Sequence, residues 1–329
     1  MSRGYYKEMR YLQPGDEIRV IAPSMNWSAK RQRSYDRAKE ALEELGFTVT
    51  FGKRVSSSER FGTGAVADRL ADFHDAYRDP SVKLVMALHG GWSANALLPG
   101  IDWELVRQNP KPLLGFSDIT VLVNALYAKT GVVQYLGPTF STLGHLPTRD
   151  YTMRNLLTVL QGGGPLSLQR SRMWERQRHG ALSKTRPWKV LQAGSGEGVL
   201  IGGNLGTFYL LQGTPYQPTF DKPFILAVED DDEAGKNSAR EFDRRLESLL
   251  QLPGVRENLR GLVVGRFQTT SRVTMPDVLA IVERMNLLGL PVIADVDFGH
   301  TLPMLTLPIG ARAQLVAENN QAQLNLVQS

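Results

Sequence analysis

The sequence predicts an α/β protein in two parts. The first is an N-terminal α/β domain on a parallel sheet, with flavodoxin- or Rossmann-like layering; the second is a C-terminal β-rich α+β domain. Three observations predict this. The first half of the chain alternates apolar strand-like runs with amphipathic helical ones. A glycine-rich and then basic stretch, Gln161 to Lys189, interrupts that rhythm, and beyond it short strands outnumber helices. The chain's 329 residues also exceed the usual span of one hydrophobic core. The expected organisation is an α/β domain over 1–165, a connecting loop over 166–189 and a second domain over 190–329.

In order, GDEIRVIAPS reads as a strand ending at Pro23 and Ser24, and Ser28 to Leu45 has helical spacing closed by Gly46. FTVTFG is a strand and VADRLADFHDAYRD an amphipathic helix. VKLVMALHGG is an apolar strand ending in two glycines, followed by a helical ANALLPG. PKPLLGFSD is a strand that runs directly into the helix ITVLVNALYAKTG. Parallel sheets of this kind place ligands at the carboxyl ends of their strands, where both HGG and GFSD fall. In the second half WKVLQAG, EGVLIGG, FILAVED, GLVVGRF, LPVIADVDFGH and ARAQLVAEN read as strands. LGTFYLLQG, SAREFDRRLESLLQ and MPDVLAIVERM read as helices.

Composition narrows the function classes. With no cysteine, the chain has no disulfide, thiolate metal site or thiol nucleophile. No apolar run approaches the roughly 18–20 residues of a membrane span, and the N-terminus has no signal-like apolar core, so a cytoplasmic protein without a membrane partner is expected. The net charge of +5 comes from 38 basic residues spread among 33 acidic ones, and no nucleic-acid-binding module is recognisable, so no nucleic-acid partner is expected. None of the five histidines stands at metal-ligand spacing; neither a metal nor a cofactor is expected.

Candidate chemistry lies at the strand ends. Ser117, in Gly115-Phe116-Ser117-Asp118, sits between a strand and a helix, where a sharp turn lifts a hydroxyl clear of the chain and helix N–H groups suit an oxyanion. The second glycine of a G-x-S-x-G elbow is absent, and Ser117 or Asp118 as a helix cap is the competing reading. The amides of Gly90 or Gly91 and of Asp118 are candidate oxyanion donors; a tight turn is the alternative for the glycines. His89, just before that turn, reads as structural. His300 follows an apolar strand in a glycine- and proline-bounded turn and is a candidate base. Glu229 ends the strand FILAV and can orient an imidazole, although Asp230, Asp231 and Asp232 follow it and a solvated loop or weak cation site is the alternative.

LHGGWSANALLPGIDW followed by PKPLLGFSDITVLVNALYAKTGVVQYLGP resembles the LD-carboxypeptidase family of Ser-Glu-His peptidases. GVLIGGNLGTFYLLQGTPY, FILAVEDDDE, FDRRLESLLQ, GLVVGRFQ and VIADVDFGHTLPMLTLPIGA follow in the family's order. The likeness runs from about Leu12 to Leu315 and is greatest to the microcin C self-immunity branch. The resemblance implies a nucleophile at Ser117, a base at His300, an orienting carboxylate at Glu229 and oxyanion donors at Gly90 or Gly91 and Asp118. It also implies a homodimer without metal or organic cofactor. The substrate it implies is a small peptide or an aminoacyl- or peptidyl-nucleotide conjugate, murein LD-carboxypeptidase activity being the alternative and a nucleotide-binding module the non-enzymatic one. A nucleobase would need an aromatic platform, for which Trp174 is the candidate. Arg172 or Arg176 could meet a phosphate, and Asn204 could line the cleft or cap the helix after it.

Overall fold

A computed structural model describes residues 12–162, 165–175 and 181–327. The N-terminal half runs β1 (Glu17–Ile21), α1 (Gln32–Glu43), β2 (Thr48–Phe51), α2 (Val66–Arg78), β3 (Val82–Ala87), α3 (Trp103–Gln108), β4 (Leu113–Gly115), α4 (Thr120–Thr130), β5 (Gln134–Leu136), α5 (Phe140–Leu143) and α6 (Arg149–Gln161). Strands β2, β1, β3, β4 and β5 pair in parallel in that spatial order. The order reverses between β1 and β3, which opens a crevice beyond their carboxyl ends. Into that crevice run Pro23-Ser24 from β1 and His89-Gly90-Gly91 from β3, with Ser117 one strand further along.

The helices follow their side-chain patterns. Helix α1 buries Tyr35, Ala38, Ala41 and Leu42, one stripe facing the sheet. Helix α4 is apolar on every face, and each residue from Thr120 to Leu126 is buried. It is enclosed between the two sheets, and it ends at Gly131 in the left-handed region. ANALLPG is a 3-10 turn rather than a full helix because Pro99 inside it offers no N–H to the ladder. Helix α3 follows, capped by the Asp102 carboxylate accepting from the Leu105 N–H.

The remaining chain forms β6 (Leu166–Ser167), β7 (Met173–Glu175), β8 (Leu182–Lys184), β9 (Lys189–Gln192), β10 (Gly194–Asn204), α7 (Leu205–Tyr209), β11 (Phe224–Glu229), α8 (Ser238–Leu250), α9 (Val255–Asn258), β12 (Leu259–Gly265), α10 (Met275–Met285), β13 (Val292–Val296), β14 (Leu307–Ile309), β15 (Arg312–Glu318) and β16 (Gln321–Leu326). Eight of these strands make one sheet in the order β6-β16-β15-β10-β11-β12-β13-β9. Its centre, β10 to β13, is parallel, joined by crossovers that carry α7, α8 and α10. The continuous apolar runs FILAV and LVVG belong to strands covered on both faces.

Two features differ from the expected organisation. Residues 166–189, read as a loop, contain β6, the β7–β8 hairpin and the first residue of β9. The buried Asp297 carboxylate holds this stretch, accepting from the Ser171 N–H (3.0 Å), the Ser171 hydroxyl (2.5 Å) and the Trp188 indole (2.9 Å). Strand β14 leaves the second half to pair antiparallel with β5, so the N-terminal sheet is completed from far along the chain. The halves are also tied through Asn124, whose amide donates to the Gly202 carbonyl (2.8 Å) and accepts from the Gly202 N–H (3.1 Å). Among the described residues no helix is long and apolar enough to cross a membrane.

Candidate active site

Strand β4 ends at Gly115, and the chain turns at Ser117 with φ of +61° before entering α4. The left-handed region is costly for a residue with a side chain, by about 1–3 kcal/mol, and such strain survives only where the surroundings impose it. Ser117 is the first residue of a 3-10 turn, and the N-cap positions of that turn and of α4 are Phe116 and Ile119, neither with a side-chain cap. The Ser117 Oγ lies 2.9 Å from His300 Nε2, which decides between the two readings of GFSD in favour of a hydroxyl turned away from the helix.

His300 follows β13 in a turn that Asp297 fixes from below, through Arg266 Nη1 at 2.8 Å and the bonds to Ser171 and Trp188. The imidazole Nδ1 lies 2.8 Å from Glu229 Oε2, and the His300 backbone N–H donates to the same oxygen at 3.3 Å. Glycine is required just before it: at Gly299 (φ +95°) a Cβ would stand 2.4 Å from Glu229 Oε2. Glu229 is the last residue of β11 and is 1% exposed. A carboxylate only accepts, so the ring carries its proton on Nδ1, and in the neutral form Nε2 is left to accept from the Ser117 hydroxyl.

Burial by itself disfavours the imidazolium. The Glu229 carboxylate, by charge and hydrogen bond, outweighs that, with Asp231 and Asp230 adding to it, and the His300 pKa is raised to about 9. At neutral pH the free protein therefore holds His300 mostly as a cation that donates to Ser117.

The glycine pair after β3 lies against the serine. A Cβ on Gly90 would meet Ser117 Cβ at 2.9 Å and Oγ at 3.1 Å, so the backbone of that turn is in contact with Ser117. Gly91 adopts φ of +149° beside Ser24 and Met25. The Asp118 side chain has a task that sequence reasoning missed. It is buried and accepts from the Ser24 hydroxyl (2.5 Å) and the Ala94 N–H (2.7 Å), fastening the ends of β1 and β3 to the Ser117 turn. Its pKa is raised by burial, against the lowering effect of these bonds and of Arg69. The signal was faint: Ser24 follows the first strand as Ser117 follows the fourth, and a parallel sheet brings the ends of both, on either side of β3, to one edge.

Ser117 opens on a cavity of about 180 Å³ lined by Gly91, Trp92, Asp118, Asn204, Asp231 and Glu233, among others. Asn204 both caps and lines. Its Oδ1 accepts from the Thr207 N–H at 2.9 Å, and its Nδ2 donates to Asp231 at 3.3 Å and Asp230 at 3.4 Å. Asp230 pairs with Arg245 at 2.9 Å, and burial pushes its pKa up to about 6. The acidic run after Glu229 thus divides: Glu229 turns to the histidine and Asp230 to Arg245. Among the described residues no group of three His, Cys, Asp or Glu is placed to hold a metal ion.

Of the other residues expected at the substrate, Trp174 and Arg172 are not in the lining of this cavity. Trp174, on β7, covers the Arg266 guanidinium at 4.9 Å and lines a second cavity with Phe267, Met275 and Asp295. Arg172 is exposed and does not line the Ser117 cavity, and Arg176 lies outside the described residues. A short strand pairing pulls Trp174 away: the β7–β8 hairpin sets its direction, and the Glu175 N–H is fixed to the Leu302 carbonyl at 2.8 Å. His89, read as structural, is buried with Nε2 2.5 Å from the Tyr35 hydroxyl.

The fold is a mixed α/β one, an N-terminal half on a parallel-dominated sheet joined to a β-rich C-terminal half. The chain belongs to the LD-carboxypeptidase family: residues 18–137 match its N-terminal domain and residues 197–315 its C-terminal domain. This is a family of serine carboxypeptidases that includes MccF and murein peptide carboxypeptidases. The chain is 37% identical to the putative carboxypeptidase YocD of Bacillus subtilis, over 95% of this chain and 97% of that protein. It is 30% identical to a probable murein peptide carboxypeptidase of Bacillus subtilis (92% and 90%) and 28% identical to the microcin C7 self-immunity protein MccF of Escherichia coli (94% and 93%). Among solved structures, an MccF-like protein from Bacillus anthracis superposes with a TM-score of 0.92 at 36% identity, covering 97% of this chain and 98% of that one. MccF in complex with aspartyl sulfamoyl adenosine superposes at 0.85 and 26% identity, with the same coverage.

Proposed function

We propose that this protein is a serine carboxypeptidase or amidase that cleaves the amide of aminoacyl- or peptidyl-nucleotide conjugates through an acyl-enzyme, with Ser117, His300 and Glu229 as its triad. The observation that carries the reading is the unbroken hydrogen-bonded chain from Ser117 Oγ through His300 to Glu229. In this reading neutral His300 takes the Ser117 proton as Oγ attacks the amide carbonyl. The backbone N–H groups of Gly90 or Gly91 and of Asp118 hold the oxyanion. His300 then protonates the leaving amine, and a water activated by the same imidazole releases the acyl group. Glu229 fixes the tautomer and stabilises the imidazolium formed in each half-reaction. The nucleotide conjugate is favoured by the likeness to MccF, which is solved with aspartyl sulfamoyl adenosine. A cytoplasmic homodimer working without a cofactor completes the proposal.

The test offers purified protein an aminoacyl sulfamoyl adenosine and, separately, a murein tetrapeptide, with products read by mass spectrometry. Cleavage of the conjugate, abolished in Ser117→Ala, is the expected result. Cleavage of the tetrapeptide alone would replace this substrate with the murein one, a reading supported by the similarity to the probable murein peptide carboxypeptidase. Activity persisting in Ser117→Ala would remove the mechanism.

A further inference from the structure

The chain between the two halves grips the loop that carries His300 at two points. That loop leaves β13 at Asp297 and closes on itself where the Leu305 N–H donates to the Asp297 carbonyl at 2.6 Å. The Asp297 side chain is 0% exposed, and three hydrogen bonds and an ion pair converge on it. The Ser171 N–H and hydroxyl donate to it at 3.0 and 2.5 Å and the Trp188 indole at 2.9 Å, while Arg266 Nη1 lies 2.8 Å away. The second point is Leu302, two residues beyond His300, whose carbonyl accepts from the Glu175 N–H at 2.8 Å.

Ser171, Glu175 and Trp188 belong to one strap. The Thr185 N–H donates to the Arg172 carbonyl at 3.0 Å and the Thr185 hydroxyl to the Ser171 carbonyl, so the two arms of the strap are fastened together. The strap also reaches the half that bears Ser117, because Glu175 Oε1 lies 2.6 Å from His145 Nε2, just beyond α5. A buried carboxylate is costly unless its acceptor sites are filled. The strap fills those of Asp297 from positions 126 and 109 residues distant in the chain.

A general base tolerates little drift: a displacement of about 1 Å can cost about 100-fold in rate. Ser117 and His300 stand on different halves of the chain, so their 2.9 Å separation is set by the links between those halves. The strap is bonded to the His300 loop on both sides of the imidazole and to the Ser117 half through His145.

We propose that Ser171, Trp188 and Asp297 are positioning residues of the reaction, the strap holding His300 in register between Ser117 and Glu229. This rests on the reading of Ser117, His300 and Glu229 as the catalytic triad. The three residues act through the place of the imidazole.

Two neutral substitutions test it. Ser171→Ala deletes one donor to Asp297 and Trp188→Phe another, and neither alters a charge. The charged groups that face His300 are Glu229, Asp231, Asp230 and Glu233, on β11 or the turn after it, and all of them remain. A merely structural loss lowers stability and leaves the titration of the imidazole where it is. A displaced loop takes the imidazole away from Glu229, and its midpoint falls.

The His300 imidazole is followed by NMR through a pH titration in the wild type, both variants and Ser171→Thr. Steady-state kinetics are measured at a temperature where urea unfolding shows each protein folded. Ser171→Ala is expected to lower the midpoint from about 9 by about half a unit or more. It lowers kcat about ten-fold or more and changes KM by less than about two-fold. Trp188→Phe acts in the same direction, and Ser171→Thr, which keeps the hydroxyl, restores both quantities. Trp188→Phe carries the same reading if Ser171→Ala does not fold. An unmoved midpoint in the folded variants overturns the proposal, whether or not kcat falls. The titration needs no substrate, so the two readings fail separately. If the wild type cleaves no amide while the midpoint still falls in Ser171→Ala, the triad reading is lost and the placing of His300 by the strap stands. Normal cleavage and an unmoved midpoint in both variants give the reverse.

Discussion

His300 is held twice by one oxygen: Glu229 Oε2 lies 2.8 Å from the imidazole Nδ1 and 3.3 Å from the backbone N–H of the same residue. The first contact orients the ring and the second fixes the turn that carries it. Because the Glu229 charge raises the His300 pKa to about 9, the base form is scarce at neutral pH. For the wild type, kcat/KM is expected to climb with pH to a midpoint near 9. Glu229→Gln removes the charge that raises the pKa, so the midpoint moves down, while the plateau falls by up to about 10⁴-fold through loss of the orienting carboxylate. A pH–rate profile of both proteins checks this, and an unmoved midpoint would count against Glu229 as its cause.

The same shift links stability to pH. A histidine whose folded pKa is raised stabilises the fold fully below its unfolded value, about 6.5, and loses that contribution as pH rises through about 9. Urea unfolding of wild type and His300→Asn is expected to show a stability gap near pH 6 that narrows toward pH 10. A constant gap would mean the imidazolium is not stabilised in the fold.

Ser117 trades stability for position. With φ at +61°, Ser117→Gly relieves the left-handed strain and is expected to stabilise the protein by about 1 kcal/mol. The same change removes the hydroxyl and lowers kcat by about 10⁴-fold or more. Chemical denaturation and single-turnover assays read the two effects; a destabilised glycine variant would show that the turn is not strained.

Asp118 should matter beyond its backbone N–H. Asp118→Ala leaves the buried Ala94 N–H and Ser24 hydroxyl without their acceptor, at a cost of about 2–4 kcal/mol. It also frees the turn that bears Gly90 and Gly91, so kcat falls with it. Asp118→Asn keeps an acceptor oxygen and is expected to recover part of both, which thermal melts and steady-state kinetics distinguish.

Asn204→Ala removes the cap of α7 and the amide between Asp230 and Asp231. The cap alone is worth about 1 kcal/mol, and the uncovered carboxylates add to the loss. Asn204→Asp keeps the capping oxygen but adds charge beside two carboxylates, so it should rescue less than Asn204→Ser. Urea unfolding of the three variants ranks them.

Legibility in the sequence followed the range of the interactions involved. The strands before His89-Gly90-Gly91 and before Ser117 were readable because apolar runs and glycines are local signals, and parallel topology puts their ends on one edge. Trp174 was expected at the substrate for its residue type, yet hairpin pairing and the Arg266 guanidinium hold it over another cavity. Trp92, which lines the Ser117 cavity, and Phe61, edge to face with it, passed unnoticed because exposure is a property of the packed chain. Strand β14 was hidden too: three residues carry no period, and its partner β5 lies about 170 positions earlier.

By itself the sequence determined the α/β rhythm, the strand ends that carry the chemistry and the residue types at Ser117, Glu229 and His300. Those features rest on periodicity, glycine placement and side-chain chemistry, all encoded within a few neighbouring positions. Only the tertiary structure decided that the Ser117 hydroxyl faces His300 rather than capping α4, that Glu229 and not Asp230 holds the imidazole, and that aromatic rings border the cavity. Each of these depends on groups brought together from separate stretches of the chain, where angstrom distances fix which of several chemically equivalent partners is reached.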